Sequence, residues 1–317
     1  MLTGLLRCGL IFLCSLLMTA EAAAPRIVLI YNGGQEVFQQ FAEALMPLLK
    51  TQGQTLERHD SRNWSNGDPP ASLQGVDLII AAGSEVTALL AKNPPRAAVL
   101  CVLLSRQQFE HYLPALQHSE RAVSAIYQDP PAYRQLLLAQ LLLPDIGSVG
   151  YLYQPHESDR LPLLTASSRQ LGLKLIAQPV AADAELPAAL VSVIGQSSIL
   201  LASADSVLYN RYTIKTILTA AYRQEKVVIG SSPAFVKAGS LATTYSNVGH
   251  IATQVAELLV TRIDRELPSA GYARYFQVSV NVDVARSLAI PLPDPDTLNQ
   301  MMIARVNADE KAGVDHE

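Results

Sequence analysis

Gly75-Val-Asp-Leu-Ile-Ile-Ala-Ala82 is an apolar run broken only by Asp77, and Gly83-Ser84 stops it before an amphipathic stretch, Glu85 to Lys92. A strand with one wet face alternates polar and apolar residues. A continuous run instead marks a strand covered on both faces, as in a parallel sheet. Upstream, Arg26-Ile-Val-Leu-Ile-Tyr31 has the same character and halts at Asn32-Gly33-Gly34. The next stretch, 35–52, carries Val37, Phe38, Phe41, Leu45 and Leu48 at helical spacing. Downstream, Ala97 to Leu104 is a third such run and closes on Ser105. Strand, tight turn and helix in repetition predict an α/β fold with a parallel sheet.

The pattern then restarts. Ala122 to Tyr127 reads as a short connecting strand, and Asp129-Pro130-Pro131 opens a helix over 132–143 with prolines in first-turn positions. Strands over 148–153, 173–179, 198–202 and 226–230 alternate with helices over 161–171, 185–195 and 209–224. Two successive sets of similar length predict two lobes, with a hinge near 120–125. Asn247 to Asp264 is a periodic helix, and Phe276 to Val282 alternates like an edge strand. Past Pro291 the chain turns polar, and 305–317 is expected to be a loose tail.

The N-terminus reads as an export signal. Arg7 supplies the positive start, Gly9 to Met18 the apolar segment, and Ala20-Glu21-Ala22 the small-x-small cleavage pattern, with cleavage after Ala22. Cys8 and Cys14 lack the small-residue box of a lipoprotein, and no later stretch reaches the ~18 apolar residues of a membrane span. The expected location is therefore periplasmic. The formal net charge of -4 is dispersed, which excludes the basic footprint of a nucleic-acid binder. Of three cysteines only Cys101 lies beyond the signal, so core packing rather than an internal disulfide must hold the fold.

Catalytic and metal patterns are missing from the sequence. His59, His111, His118, His156, His250 and His316 are scattered, none at ligand spacing with another His or a Cys. There is no Gly-x-Ser-x-Gly, Walker or Gly-x-Gly-x-x-Gly element, so neither an enzyme nor a bound cofactor or metal is expected. In open α/β sheets, ligands bind in the crevice beyond the C-terminal ends of the strands. The residues at those ends are Asn32 and Gly33, Gly83 and Ser84, Ser105, Tyr127, Tyr153, Asp205 and Ser231. Ser84 reads either as a helix cap or as part of a carboxylate-binding helix start. Asp205 reads either as a cap or as the partner of a ligand ammonium. Tyr127, Tyr153, Tyr209 and Tyr245 are rim residues or an aromatic box.

Several segments carry a family likeness. Leu200-Leu-Ala-Ser-Ala-Asp205-Ser-Val207 looks like a strand followed by a "D-x-V" element, and 227–246 resembles a "P-x-x-G…F-V…G-A-L…Y-S" block. With Gly249…Ala252…Ala256…Leu259, Val280-Asn281…Ala285…Pro291 and Val123-Ser124…Pro130…Gln135, the stretch 120–292 resembles the tryptophan/tyrosine-type ABC-transporter substrate-binding proteins. That resemblance implies the type 1 periplasmic-binding-protein fold, two Rossmann-like lobes with parallel sheets joined by a three-crossover hinge. It implies a first lobe of 23–121 plus 246–275 and a second of 122–245 plus 276–304. It further implies that Gly83 and Ser84 hold a ligand carboxylate and that Asp205 meets an ammonium. The partners would be a small molecule, possibly an amino acid, and an inner-membrane ABC permease with its ATPase, the receptor itself being a monomer. A non-transport sensing or protein-interaction member of the same fold is the alternative. The first lobe departs from the pattern. Ser105-Arg106 stands where the family has "D-P", and Asn32-Gly33-Gly34-Gln35 replaces its usual first loop.

Overall fold

A computed structural model of the chain describes residues 25–64, 73–117, 121–205, 207–261 and 267–311. The expected export signal, residues 1–22, lies outside the described residues, as do His118, Ser206 and His316.

The first sheet is built from β1 (Ile27–Tyr31), β2 (Leu56–Asp60), β3 (Leu78–Ala82), β4 (Ala98–Leu104), β5 (Val123–Tyr127) and, later, β11 (Gly271–Tyr272). Its order is β11-β5-β4-β3-β1-β2, and the pairings are parallel. Neighbouring side chains point to opposite faces of a strand, and both faces are covered. Leu29, Ile80, Leu100 and Val102 meet α1 (Glu36–Thr51) and α9 (Val248–Thr261), through Phe41, Leu45, Leu49, Ile251 and Val255. Val28, Ile30, Ile79 and Val99 meet α2 (Ser84–Lys92) and α3 (Arg106–Leu116), through Val86, Leu90, Phe109 and Leu116.

The second sheet repeats the scheme in the order β12-β10-β9-β8-β6-β7, with β12 antiparallel to β10. Its strands are β6 (Ser148–Tyr153), β7 (Lys174–Pro179), β8 (Ile199–Leu201), β9 (Val227–Ile229), β10 (Ala242–Tyr245) and β12 (Gln277–Val280). Val149, Ile199, Leu201 and Ile229 meet α4 (Ala132–Leu142), and α5 (Leu161–Gln170) joins them through Leu164. Leu200 and Val228 meet α6 (Leu186–Gln196) and α7 (Ile214–Arg223). The short helices α8 (Pro233–Ala238) and α10 (Val282–Ser287) follow β9 and β12.

The chain passes between the sheets three times: after β5, after β10 and after β11. These crossings are tied to one another. Arg134 Nη1 donates to the Ala273 carbonyl at 3.2 Å, and Ser246 Oγ donates to the Tyr275 carbonyl at 2.7 Å. Gln135 is more heavily committed. Its Nε2 donates to Gly230 O and Thr243 Oγ1, while its Oε1 accepts from Thr244 N and Thr244 Oγ1, all at 2.9 Å or less. One amide thus fixes the start of α4 to the strand ends beside the cleft.

Two boundaries differ from the sequence reading. Ala122 to Tyr127 does not open the second lobe. β5 pairs with β4 and β11 in the first sheet, so the first crossing lies at 128–131 and not near 120–125. Nor is 305–311 a loose tail. It continues α11 (Pro295–Lys311), whose Leu298, Met302 and Val306 sit in the second lobe's core. Its polar composition reflects a helix with only one buried stripe. The sequence reading also lacks β2, a polar edge strand, the short α8 and β10, and α3, which carries Pro114 and buries only Phe109 and Leu116.

Candidate functional site

Strand ends from both sheets line a groove of about 720 Å³. Val37, Gln40, Ser105, Gln107 and Gln108 reach it from the first lobe, and Gln128, Asp129, Ser246 and Asn247 from the crossings. Ser203, Ala204, Asp205, Tyr209, Ser231, Ser232, Phe235 and Tyr245 reach it from the second lobe. Hydroxyl and amide groups dominate this lining, and its charged members are the acids Asp129 and Asp205.

A smaller cavity of about 110 Å³ shares Asp129, Ser203, Ala204 and Ser231 with the groove. It adds Arg106 and Tyr272 from the first lobe and Gln135, Tyr151 and Arg160 from the second. Asp129 Oδ1 accepts from the Arg106 backbone N–H at 2.8 Å. Enclosure by protein outweighs the nearby Arg160 and Arg106 charges and lifts the Asp129 carboxyl to about 6. Arg106 Nε bonds Glu110 Oε1 at 2.7 Å, one helical turn away, and its guanidinium also meets the Tyr272 hydroxyl. Burial drives that hydroxyl up to about 12.

Beside the cavity lies a knot of buried polar groups. Asp205 Oδ1 caps the turn that follows it, accepting from Val207 N at 2.7 Å, while Asp205 Oδ2 is buried without a hydrogen bond. Glu157 is only 2% exposed, and its carboxyl lies against Asp205, so burial and the Asp205 charge both raise its pKa. Its nearest cation is Arg160, at 3.6 Å. The Tyr209 hydroxyl is buried without a partner, and burial pushes it far above the ordinary phenol range.

The structure divides the nine sequence-predicted residues. Ser105, Asp205 and Ser231 line the groove, Ser231 the inner cavity as well. The Ser105 oxygen already accepts from Gln108 N, completing a reciprocal capping box on α3. Ser84 lies in a separate recess between the lobes, together with His111, Tyr112, His156 and Arg160. It is the first residue of α2, whose N-cap is Gly83.

The other five serve the scaffold. Gly83 has φ +88°, and a Cβ there would lie 2.4 Å from Phe38 Cζ. A Cβ on Gly33 would meet Asp60 Oδ2 at 2.2 Å, and the Gly33 N–H is bonded to Asp60 Oδ1. Asn32 Nδ2 is bonded to Glu85 at 2.7 Å. Tyr127 is buried edge-on against Tyr272, centroids 5.2 Å apart. Tyr153 stacks parallel to Tyr151 at 6.5 Å. The residues missed from sequence are Arg106, Asp129, Glu157, Arg160 and Gln135. The first two stood in recognised turns, Ser105-Arg106-Gln107 and Asp129-Pro130-Pro131. Gln135 stood in the family likeness without a role, and nothing local marked Glu157 and Arg160. Among the described residues, no group of three or more His, Cys, Asp or Glu is placed to hold a metal ion.

The family model described as ABC transporter substrate binding protein matches residues 72–295. The chain belongs to this family. Substrate-binding proteins are also among the solved structures it resembles. A ligand-free, open substrate-binding protein with adhesive properties from Clostridium difficile aligns with a TM-score of 0.65 at 16% identity, over 85% of this chain and 96% of that one. An ABC domain from Streptococcus pneumonia in complex with L-Trp aligns with a TM-score of 0.56 at 14% identity, over 87% and 98% of the two chains. A conserved domain protein from Vibrio cholerae gives a TM-score of 0.56 at 16% identity, over 87% and 98%. At such identities the likeness establishes the fold: two α/β lobes of the periplasmic-binding-protein kind. A search of curated proteins by sequence finds no match. Among the described residues, no helix of this substrate-binding protein is long and apolar enough to cross a membrane.

Proposed function

We propose that this substrate-binding protein is the extracytoplasmic receptor of an ABC import system and closes its lobes on one small polar ligand. The observation that carries the reading is the groove itself. It measures about 720 Å³, is built at the strand ends of both sheets, and is lined from both sides by hydroxyl and amide groups. Ligands gather at such strand ends because converging loops and helix starts leave polar groups unpaired there. A ligand touching both lobes favours the closed arrangement by its differential contacts, and the three tied crossings confine the motion to a hinge. Transport energy comes from partner ATPase subunits, and the chain catalyses nothing.

An amino acid fits the lining best among common metabolites. The groove offers amides, hydroxyls and the aromatic rings of Phe235, Tyr209 and Tyr245. Asp205 is in position to meet an ammonium if its buried oxygen is released from Glu157. The test is a thermal-shift screen with the amino acids, their decarboxylated amines and small sugars, because a ligand selective for the folded state raises the apparent stability. Hits are followed by small-angle scattering for lobe closure. A library without a stabilising compound, or a hit unaffected by Ser231→Trp, refutes the assignment.

A further inference from the structure

The two guanidinium groups in the inner cavity stand apart from the rest of the cleft. Arg106 enters from the first turn of α3 in the first lobe, and Arg160 from the turn before α5 in the second. Like charges approaching from opposite lobes repel unless something negative lies between them. The nearby acids supply that charge only in part. Glu110 holds Arg106 from the outer side, on the surface of α3. Glu157 stands 3.6 Å from Arg160, too long for a hydrogen bond, and its carboxyl is turned against Asp205. Burial and the Asp205 charge both disfavour an ionised Glu157, so Arg160 is left with a weakened counter-charge. Asp129 remains, and one of its oxygens is taken by the Arg106 backbone.

We propose that this cavity is the anion subsite of the cleft, in which Arg106 and Arg160 together take a carboxylate or phosphate group of the ligand. The proposal rests on the receptor reading only in placing that group on the transported molecule. A space of about 110 Å³ holds a headgroup of several heavy atoms, not a whole metabolite. Guanidinium presents a planar fork that matches both oxyanions. Among the described residues, the outer groove is lined by acids and by no basic side chain, which fixes the ligand's direction. Its anionic end lies inward beside the hinge, and its neutral or positive end lies outward near Asp205 and Tyr245. Because the two arginines belong to different lobes, an anion bridging them also draws the lobes together.

The experiment uses the full mature chain labelled with 15N-arginine, with the Nε–Hε signals of Arg106 and Arg160 followed by NMR. Acetate and inorganic phosphate are titrated separately, against sodium chloride at matched ionic strength. Saturable shifts of both signals with either anion, absent with chloride, support the site, and the anion that saturates first identifies the headgroup. Arg106→Gln and Arg160→Gln should each weaken binding by about tenfold or more. Asp129→Asn, which removes the competing charge, should tighten it several-fold. Arg160→Lys, which keeps the charge but loses the fork, should retain part of the affinity, and a preserved backbone spectrum excludes misfolding in each variant. Non-saturating shifts, or unchanged affinity in both Gln variants, overturn the proposal. A metabolite library without hits alongside intact anion binding would instead sink the importer reading and leave the subsite standing.

Discussion

Asp129 should make the protein less stable as the pH rises from acid to neutral. An acid whose pKa is higher folded than unfolded holds its proton more tightly in the native state. Its contribution is fully present below the unfolded value of 3.8 and is lost as the pH climbs through the folded value of about 6. That interval corresponds to about 3 kcal/mol in total, of which about 1.4 kcal/mol falls between pH 5 and pH 8. Asp129 keeps some surface, but it opens into the groove and cavity, so water there relieves part of the penalty and these are upper figures. Asp129→Asn removes the ionisation while an amide oxygen can still accept from Arg106 N. Urea unfolding of both proteins from pH 5 to pH 8 isolates the effect, because all other titrations cancel in the difference. The variant should gain on the wild type by about 1 kcal/mol over that span and be the more stable protein at pH 8. Parallel profiles, or a variant that loses ground as the pH rises, would show that the carboxyl is well solvated and the cavity open to bulk water.

Gln135→Leu should cost about 2–4 kcal/mol in urea unfolding, since it strands two acceptors, the Gly230 carbonyl and the Thr243 hydroxyl oxygen, and the Thr244 N–H and O–H donors in a buried place; a loss below 1 kcal/mol would mean water takes over those bonds. Gly83→Ala should destabilise by about 1–3 kcal/mol, because it combines a left-handed φ with a clash against Phe38. Phe38→Leu in that background should recover the steric part alone, so full recovery would contradict the backbone argument. Cys101 is fully buried and its thiol is pushed up to about 12, so a thiol reagent at pH 8 should label it only after unfolding. Rapid labelling of the folded protein would show that the sheet opens locally. Met302→Ala should lower stability by about 2–5 kcal/mol if α11 is part of the core, against nearly nothing for a free tail.

The central strands were legible because burial on both faces leaves a one-dimensional trace. Apolar runs such as 78–82 and 98–104, each stopped by a small polar residue, need no partner to be recognised. The two-lobe architecture followed from repetition of the pattern and from the likeness over 120–292. Which sheet a strand joins is not written locally. β5 looks like the start of a second set, yet hydrogen bonding to β4 and β11 places it in the first. The polar helix α11 was unreadable for a related reason, since three apolar residues bury it only when the second sheet is there to receive them.

The site divides along the same line. The sequence points to strand ends as the place for ligand contacts, and Ser105, Asp205 and Ser231 line the groove there. It does not distinguish an open glycine turn from one closely filled by a neighbour, as Gly33 is by Asp60 and Gly83 by Phe38. Only tertiary structure decided that Arg106, Asp129 and Arg160 share a cavity, because that depends on how two separately folded lobes meet at the hinge. Charge is a property of a residue, whereas the cost of burying it is a property of its surroundings. For that reason the sequence could list the acids and arginines of this protein, and the fold alone determined which of them are enclosed.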